Sequence, residues 1–140
     1  MKHWNPDQVD HIVGGFPITG FAEDAMSSFE QQGEAFVLVK GVDGQFTRSF
    51  QPGRWARWTI KLMSSSKAND FLSALHNADI LTPGGAGVVA CGCNDRNGAG
   101  VMAAPECYVE KDPVVNFSGK AETREWSIIV VNYKLFVGGT

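Results

Sequence analysis

The feature that most constrains this chain is a strict alternation of side-chain polarity over residues 54–63. Between positions 56 and 62 every even-numbered residue is apolar and every odd-numbered residue is polar or charged. Successive side chains of a β-strand point to opposite faces of a sheet, whereas an α-helix repeats every ~3.6 residues. The pattern therefore predicts a strand with one buried face, in a fold that supplies a sheet around it.

A hairpin is predicted just before this strand, with Asp43 and Gly44 in its turn. Residues 35–39 are all apolar, as in a strand that is covered on both faces, and residues 46–50 form the returning strand. An Asp-Gly pair between two such segments favours a tight turn, because glycine adopts the positive φ that the turn needs.

Other segments rich in β-branched and aromatic residues predict further strands. They are residues 9–16 and 17–21 (one or two strands), 87–93, 101–109 and a long strand at 124–137. The 87–93 and 101–109 segments are predicted to form a second hairpin. Pro105 interrupts the latter segment and has no N–H for a ladder bond, so we expect it at a sheet edge or a bulge.

One segment, residues 66–78, has helical spacing. The serines at 64–66 are candidate N-cap residues, and the helix ends before the Thr-Pro-Gly-Gly segment that begins at Thr82. Its apolar stripe comprises Ala68, Phe71, Leu72, Leu75 and Ala78. The sequence therefore predicts a mostly β protein, a β-sandwich or barrel of about seven or eight strands with one helix. Residues 1–140 contain no linker or repeat, which predicts a single domain.

Charge is distributed unevenly along the chain. From His3 to Val39 there are six acidic residues and no lysine or arginine, whereas from Lys40 onward there are 11 basic and nine acidic residues. Two interpretations stay open: a solvated acidic face, or a molecule whose acidic part meets the basic part of a neighbouring copy. The net charge of −3 argues against a general nucleic-acid binder. Neither a membrane span nor a signal peptide is predicted, so we expect synthesis and retention in a cytoplasm.

No arrangement of residues predicts catalysis. The three histidines have no metal-site spacing, and no nucleophile or phosphate-binding motif is present, so we expect no enzyme activity, metal or cofactor. The cysteine count is odd, and Cys91 and Cys93 would share one face of a strand. We interpret both as small, buried, reduced side chains.

In this setting, a series of segments resembles the tail tube proteins of contractile-tailed bacteriophages, in order and over nearly the whole chain. The segments are residues 13–16, 18–24, 43–49, 58–63, 65–66, 70–75, 104–111 and 124–126. The resemblance implies a structural subunit with no active site, which forms hexameric rings whose inner strands join into a continuous β-barrel. Stacked rings would make a hollow tube that conducts DNA during genome ejection.

The resemblance also implies partners and a location. The partners are further copies of this chain, a surrounding sheath protein, baseplate or initiator and terminator proteins at the tube ends, and DNA that passes without specific binding. The location is the virion tail, assembled in the bacterial host cytoplasm. Two alternatives stay open: a tube subunit of a related contractile injection system (type VI secretion-like or a tailocin), and a monomeric β-barrel that binds a small ligand.

Within a tube, two groups of residues are candidate sites. The hairpin and the segment after it carry charge and more aromatic surface than a small core needs, which predicts contacts between subunits. The candidates are Asp43, Gly44, Phe46, Arg48, Phe50, Arg54, Trp55 and Arg57. A lumen that lets DNA slide should lack clustered cations. The acids Glu23, Asp24, Glu30 and Glu34 are therefore candidates for the lumen, or for a ring-to-ring seam where they would pair with arginines of the next ring.

Overall fold

The computed structural model describes residues 9–22, 27–82, 84–96, 100–115 and 122–137. Within them the chain forms ten strands and one helix. In chain order these are β1 (Val9–Val13), β2 (Phe16–Pro17), β3 (Ser27–Gln32), β4 (Phe36–Lys40), β5 (Phe46–Phe50), β6 (Trp55–Met63), α1 (Ala68–Leu81), β7 (Val89–Asp95), β8 (Gly100–Lys111), β9 (Thr123–Val131) and β10 (Lys134–Val137).

Eight of the strands form one antiparallel sheet, and the other two form a separate hairpin. The sheet runs in the order β2-β1-β7-β8-β9-β6-β3, with β10 also paired to β8. The sheet curls, because His11 on β1 and Ser27 on β3 lie near opposite ends of this order and yet their side chains are 2.7 Å apart (Nε2 to Oγ). The mostly β fold with one helix is as predicted.

The concave side of the curled sheet holds the core. The alternation over residues 54–63 is confirmed, since the even-numbered side chains of β6 are at most 1% exposed. Trp126 on β9 is equally buried, and its Nε1 donates to Asn69 Oδ1 of α1 at 2.8 Å. Leu72 of α1 is also fully buried, and the half-buried Phe71 and Leu75 pack against the same cluster. The helix therefore covers one side of the β-core, as the apolar stripe predicts, except that Ala78 is exposed.

The helix begins two residues later than predicted and ends three residues later. None of the serines at 64–66 is its N-cap; Lys67 occupies that position without a side-chain cap bond. Ser66 Oγ does accept a hydrogen bond from the backbone N–H of Ala68 at 3.2 Å. The helix is 14 residues long, and the described part of the chain contains no helix long and apolar enough to cross a bilayer.

Two details of the strand predictions were settled by pairing. Pro105 lies in β8 between two neighbours, at a register shift opposite β7, so the predicted bulge is confirmed and the edge is not. The predicted single strand over 124–137 is wrong, because the chain is interrupted at Asn132, whose φ is +54°. The N–H of Asn132 donates to the carbonyl oxygen of Arg54 (2.8 Å), where β6 begins, and beyond this point β10 pairs with β8 alone.

Candidate subunit interface

The β4–β5 hairpin is separate from the large sheet, and all residues of both strands are exposed. The exposed fraction is 66% for Leu38 and 62% for both Phe46 and Phe50. The prediction that residues 35–39 are covered on both faces is therefore wrong for the single chain, because these strands do not lie on its core. An isolated two-stranded hairpin is marginally stable in water, and a large exposed apolar patch marks an interaction surface.

The turn of the hairpin has the chemistry predicted from Asp43 and Gly44. Gly44 has a φ of +86°, which a residue with a side chain rarely adopts. The N–H of Gly41 donates to the carbonyl oxygen of Gln45 at 2.6 Å, and the N–H of Gln45 donates to Asp43 Oδ1 at 3.1 Å. These bonds hold the two strands in one register, so the hairpin presents a defined surface.

The two faces of the hairpin differ in chemistry. Residues directly opposite each other share a face, so the register separates two sets of side chains. The aromatic face comprises Phe36, Leu38, Lys40, Phe46, Arg48 and Phe50, and the valine face comprises Val37, Val39, Thr47 and Ser49. On the aromatic face the guanidinium of Arg48 lies 4.2 Å from the centroid of the Phe36 ring, a cation–π contact. The cations on this face are thus combined with aromatic surface.

The other two predicted arginines are bonded within their own chain. Arg54 donates to Gln31 Oε1 (3.3 Å) and to the Tyr133 hydroxyl (3.2 Å), and it lies over the Tyr133 ring. Arg57 donates through two nitrogens to Glu110, at 3.0 and 3.2 Å. The sequence predicted that both arginines contact a neighbouring subunit, but each guanidinium already has hydrogen-bond partners within its own chain.

Glu110 is the centre of a polar group on the outer face of the sheet. The hydroxyl of Ser127 donates to it at 2.7 Å. The hydrogen bonds from Ser127 and Arg57 lower the pKa of Glu110, because both favour the ionised carboxylate. The sequence carries no signal for this group, because its members are far apart in the chain and meet only through strand pairing.

Trp55 and Glu34 lie near the base of the hairpin, whereas Glu30 lies within β3, opposite Arg57 of β6. Trp55, the first residue of β6, is 39% exposed. Glu30 on β3 and Glu34 in the segment leading to β4 are both exposed, and neither forms an ion pair within the described residues. The other two predicted acids, Glu23 and Asp24, lie outside the described residues.

The remaining chemistry of the sheet is that of a core rather than a reaction site. Burial is the main cause that lowers the pKa of His11 to about 4, and the ring stacks on Trp58 with centroids 5.8 Å apart. Burial is also the main cause that raises the pKa of Cys93 to about 11, so its thiol is protonated at neutral pH. All three cysteines are free. The described residues contain no group of three or more acids, histidines or cysteines that could hold a metal ion.

An apolar cleft is lined mainly by residues of β3, β8 and β10. Its volume is about 280 Å³, and its lining includes Phe29, Val101 and Leu135. The cleft is open, unlike the closed cavity that the ligand-binding alternative predicts. It carries few polar groups that could orient a small molecule. The hairpin is therefore the stronger candidate for the functional surface.

Comparison with known proteins points to one class. A family model described as bacteriophage PhiTE tail tube protein matches residues 15–138. Structural protein ORF10 of Pseudomonas phage KPP10 is 31% identical over 133 residues, which span 94% of this chain and 77% of that protein. These matches confirm the family resemblance found in the sequence.

Two solved structures share the fold at 8% sequence identity. One is the sheath/tube terminator of an extracellular contractile injection system (PVC) in its extended state, with a TM-score of 0.63 over 98% of this chain and 99% of that one. The other is the tube-terminating cap of the anti-feeding prophage, with a TM-score of 0.58 over 99% of this chain and 93% of that one. At this identity they inform the fold alone.

Proposed function

The chain belongs to the bacteriophage PhiTE tail tube protein family, and on that basis we propose that it is a tube subunit whose hexameric rings stack into a hollow tube. It is a phage structural protein and not an enzyme. The tube would conduct DNA during genome ejection, inside a sheath and between proteins that begin and end it. Assembly in the host cytoplasm is part of the same proposal.

The observation that carries this proposal is the exposed β4–β5 hairpin. In a monomer, apolar side chains that are exposed to water on both strands contribute no burial free energy to folding, and such strands promote aggregation. Burial of the hairpin against further copies removes this exposure. The edge of the large sheet also favours contact with further copies, because among the described residues β3 has a strand neighbour on one side only.

The geometry also suits a filament. The two faces of the hairpin differ in chemistry, so two different surfaces of neighbouring copies can cover it. A contact between different surfaces of two copies is heterologous, and heterologous contacts close into rings or continue as stacks.

A second candidate function is a tube-terminating subunit, because the fold, which is all that the two solved terminators share with this chain, is compatible with either role. The two functions differ in product, because a tube subunit polymerises without a fixed length and a terminator stops at a ring or a short stack.

Negative-stain electron microscopy of the purified protein tests these proposals. We expect tubes with a central channel. Single rings would favour the terminator, and a discrete 15.2 kDa species would overturn both and favour the monomeric ligand-binding alternative. Genes for a capsid beside the gene for this chain would separate a phage tail from a tailocin or a secretion device.

A further inference from the structure

A polar cavity is lined by α1, by β9 and by the segments that follow β6 and β8. Its volume is about 280 Å³, and its lining includes Ser64, Asn69, Ser73, Asp112, Arg124 and Trp126. We propose that this cavity binds a carboxylate and that the guanidinium of Arg124 holds it. The inference goes beyond the tube function, because the residues that form the cavity belong to one copy of the chain.

The guanidinium of Arg124 is the observation that carries this inference. Arg124 lies on β9, two residues before the buried Trp126, so both side chains project from the core side of the sheet. Its Nη1 atom is buried, and no hydrogen bond or ion pair of this guanidinium is found over residues 9–22, 27–82, 84–96, 100–115 and 122–137. A buried cationic donor without a partner costs free energy. An acceptor that enters the cavity would remove this cost.

The other polar groups of the cavity are either already bonded or have a donor left. Asn69 is fully used, because its Oδ1 accepts from Trp126 and its Nδ2 donates to two backbone carbonyl oxygens. Ser64 Oγ accepts from the N–H of Glu122 at 3.2 Å, which leaves the hydroxyl proton of Ser64 for a ligand. Ser73 follows Asn69 by one turn of α1 and adds a second hydroxyl to the lining. The cavity therefore offers donors rather than acceptors to a ligand.

The acids near Arg124 do not neutralise it. Asp112 is 66% exposed at its side chain, and its Oδ1 lies 3.9 Å from Nε2 of His76. Neither Asp112 nor Glu122, two residues before Arg124, forms an ion pair with the guanidinium. Because solvent screens an exposed carboxylate, Asp112 repels a singly charged anion only weakly and a doubly charged phosphate more. A carboxylate also matches the planar guanidinium through two parallel hydrogen bonds, and this selects it as the ligand.

Acetate is the probe for this site. Thermal melting at pH 7 is followed while sodium acetate replaces sodium chloride at constant ionic strength. Arg124→Met removes the charge and keeps an unbranched side chain. Arg96→Met is the matched control, because Arg96 is an exposed arginine that pairs with Asp10 at 3.3 Å and does not line the cavity.

We expect acetate at about 100 mM to raise the melting temperature of the wild-type protein and of Arg96→Met by about 5 °C relative to chloride, and to leave that of Arg124→Met unchanged. In chloride alone, Arg124→Met should melt no lower than the wild-type protein, since no partner within the chain is lost. An equal acetate response of the wild-type protein and Arg124→Met would overturn the site. A fall of about 5 °C for Arg124→Met in chloride would do so too, because it would show that the guanidinium already has a partner.

Two further measurements test the charge arrangement and the source of the carboxylate. Asp112→Asn should tighten acetate binding about two- to fivefold, because it removes a like charge from the cavity; weaker binding would overturn this arrangement. The amide of N-acetylglutamate should bind more tightly than acetate if the ligand is an acidic side chain of another protein, and less tightly if it is a small free carboxylate. The acetate response does not require tubes, so wild-type protein that stays monomeric but responds to acetate would overturn the tube function and support this inference.

Discussion

Replacement of Phe50 by serine together with Arg48→Glu should abolish tube formation at ordinary protein concentrations. Phe50 is 62% exposed, and a fully enclosed phenylalanine buries about 200 Å², so a partner could cover about 120 Å² of it. At about 25 cal/mol per Å² the cover contributes about 3 kcal/mol per contact, or about 100-fold in the association constant. Arg48→Glu also removes the cation over Phe36 and reverses a charge at the contact.

Tube yield in negative stain and by pelleting measures this effect, across a dilution series that starts well above the wild-type assembly threshold. Ile80→Ser is the matched control, because Ile80 is 64% exposed but lies on the helix, which we expect to face the sheath. Tubes of normal yield from the double variant would refute the assignment of the hairpin to a subunit interface. Equal loss of yield in the control would show that any exposed apolar residue has this effect.

Three further outcomes are expected. Leu72→Ala should cost about 2–5 kcal/mol of unfolding free energy and Leu75→Ala about 1–2, since Leu72 is fully buried and Leu75 only half-buried. Urea unfolding in the Arg48→Glu, Phe50→Ser background, which should not form tubes, measures these costs, and equal costs would contradict the helix packing. Glu30→Lys with Glu34→Lys should block tube assembly if these acids lie at a ring-to-ring seam, and should leave tubes intact with slow DNA release if they face the lumen. Intact tubes with normal ejection would exclude both sites. Stability should fall as the pH falls from about 6.5 towards about 4, because the unfolded chain protonates His11 first, and the urea midpoint of His11→Gln should depend less on pH over that range.

Local patterns in the sequence predicted the elements that neighbouring residues specify by themselves. The alternation over residues 54–63 predicted β6, because a strand that lies half on a core needs that period and no other. The Asp43-Gly44 pair predicted the hairpin, because the turn requires a positive φ at one position. The position and buried face of α1 followed from the spacing of its apolar residues. The family resemblance depended on the order of many such segments.

Elements that depend on pairing with a distant strand could not be predicted from the sequence. The strand β3 reads Ser-Ser-Phe-Glu-Gln-Gln, in which Phe29 is the only apolar residue, and its strand conformation comes from pairing with β6. The interruption at Asn132 arises where β6 begins and the chain loses one of its two strand neighbours. The sequence of β3 has no local strand signature, and a single asparagine, which tolerates a positive φ, is the one local sign of the interruption at Asn132.

The candidate interface shows the same division. The sequence by itself determined that a strand over residues 35–39 carries apolar side chains on both of its faces, and this pattern predicted cover on both faces. Only the tertiary structure decided that the chain leaves them uncovered, and that Arg57 is bonded to Glu110, 53 residues away. The physical reason is that the pattern of a strand determines which of its faces carry apolar side chains. Which surface covers those faces depends on the distant segments, or the other copies, that pack against them.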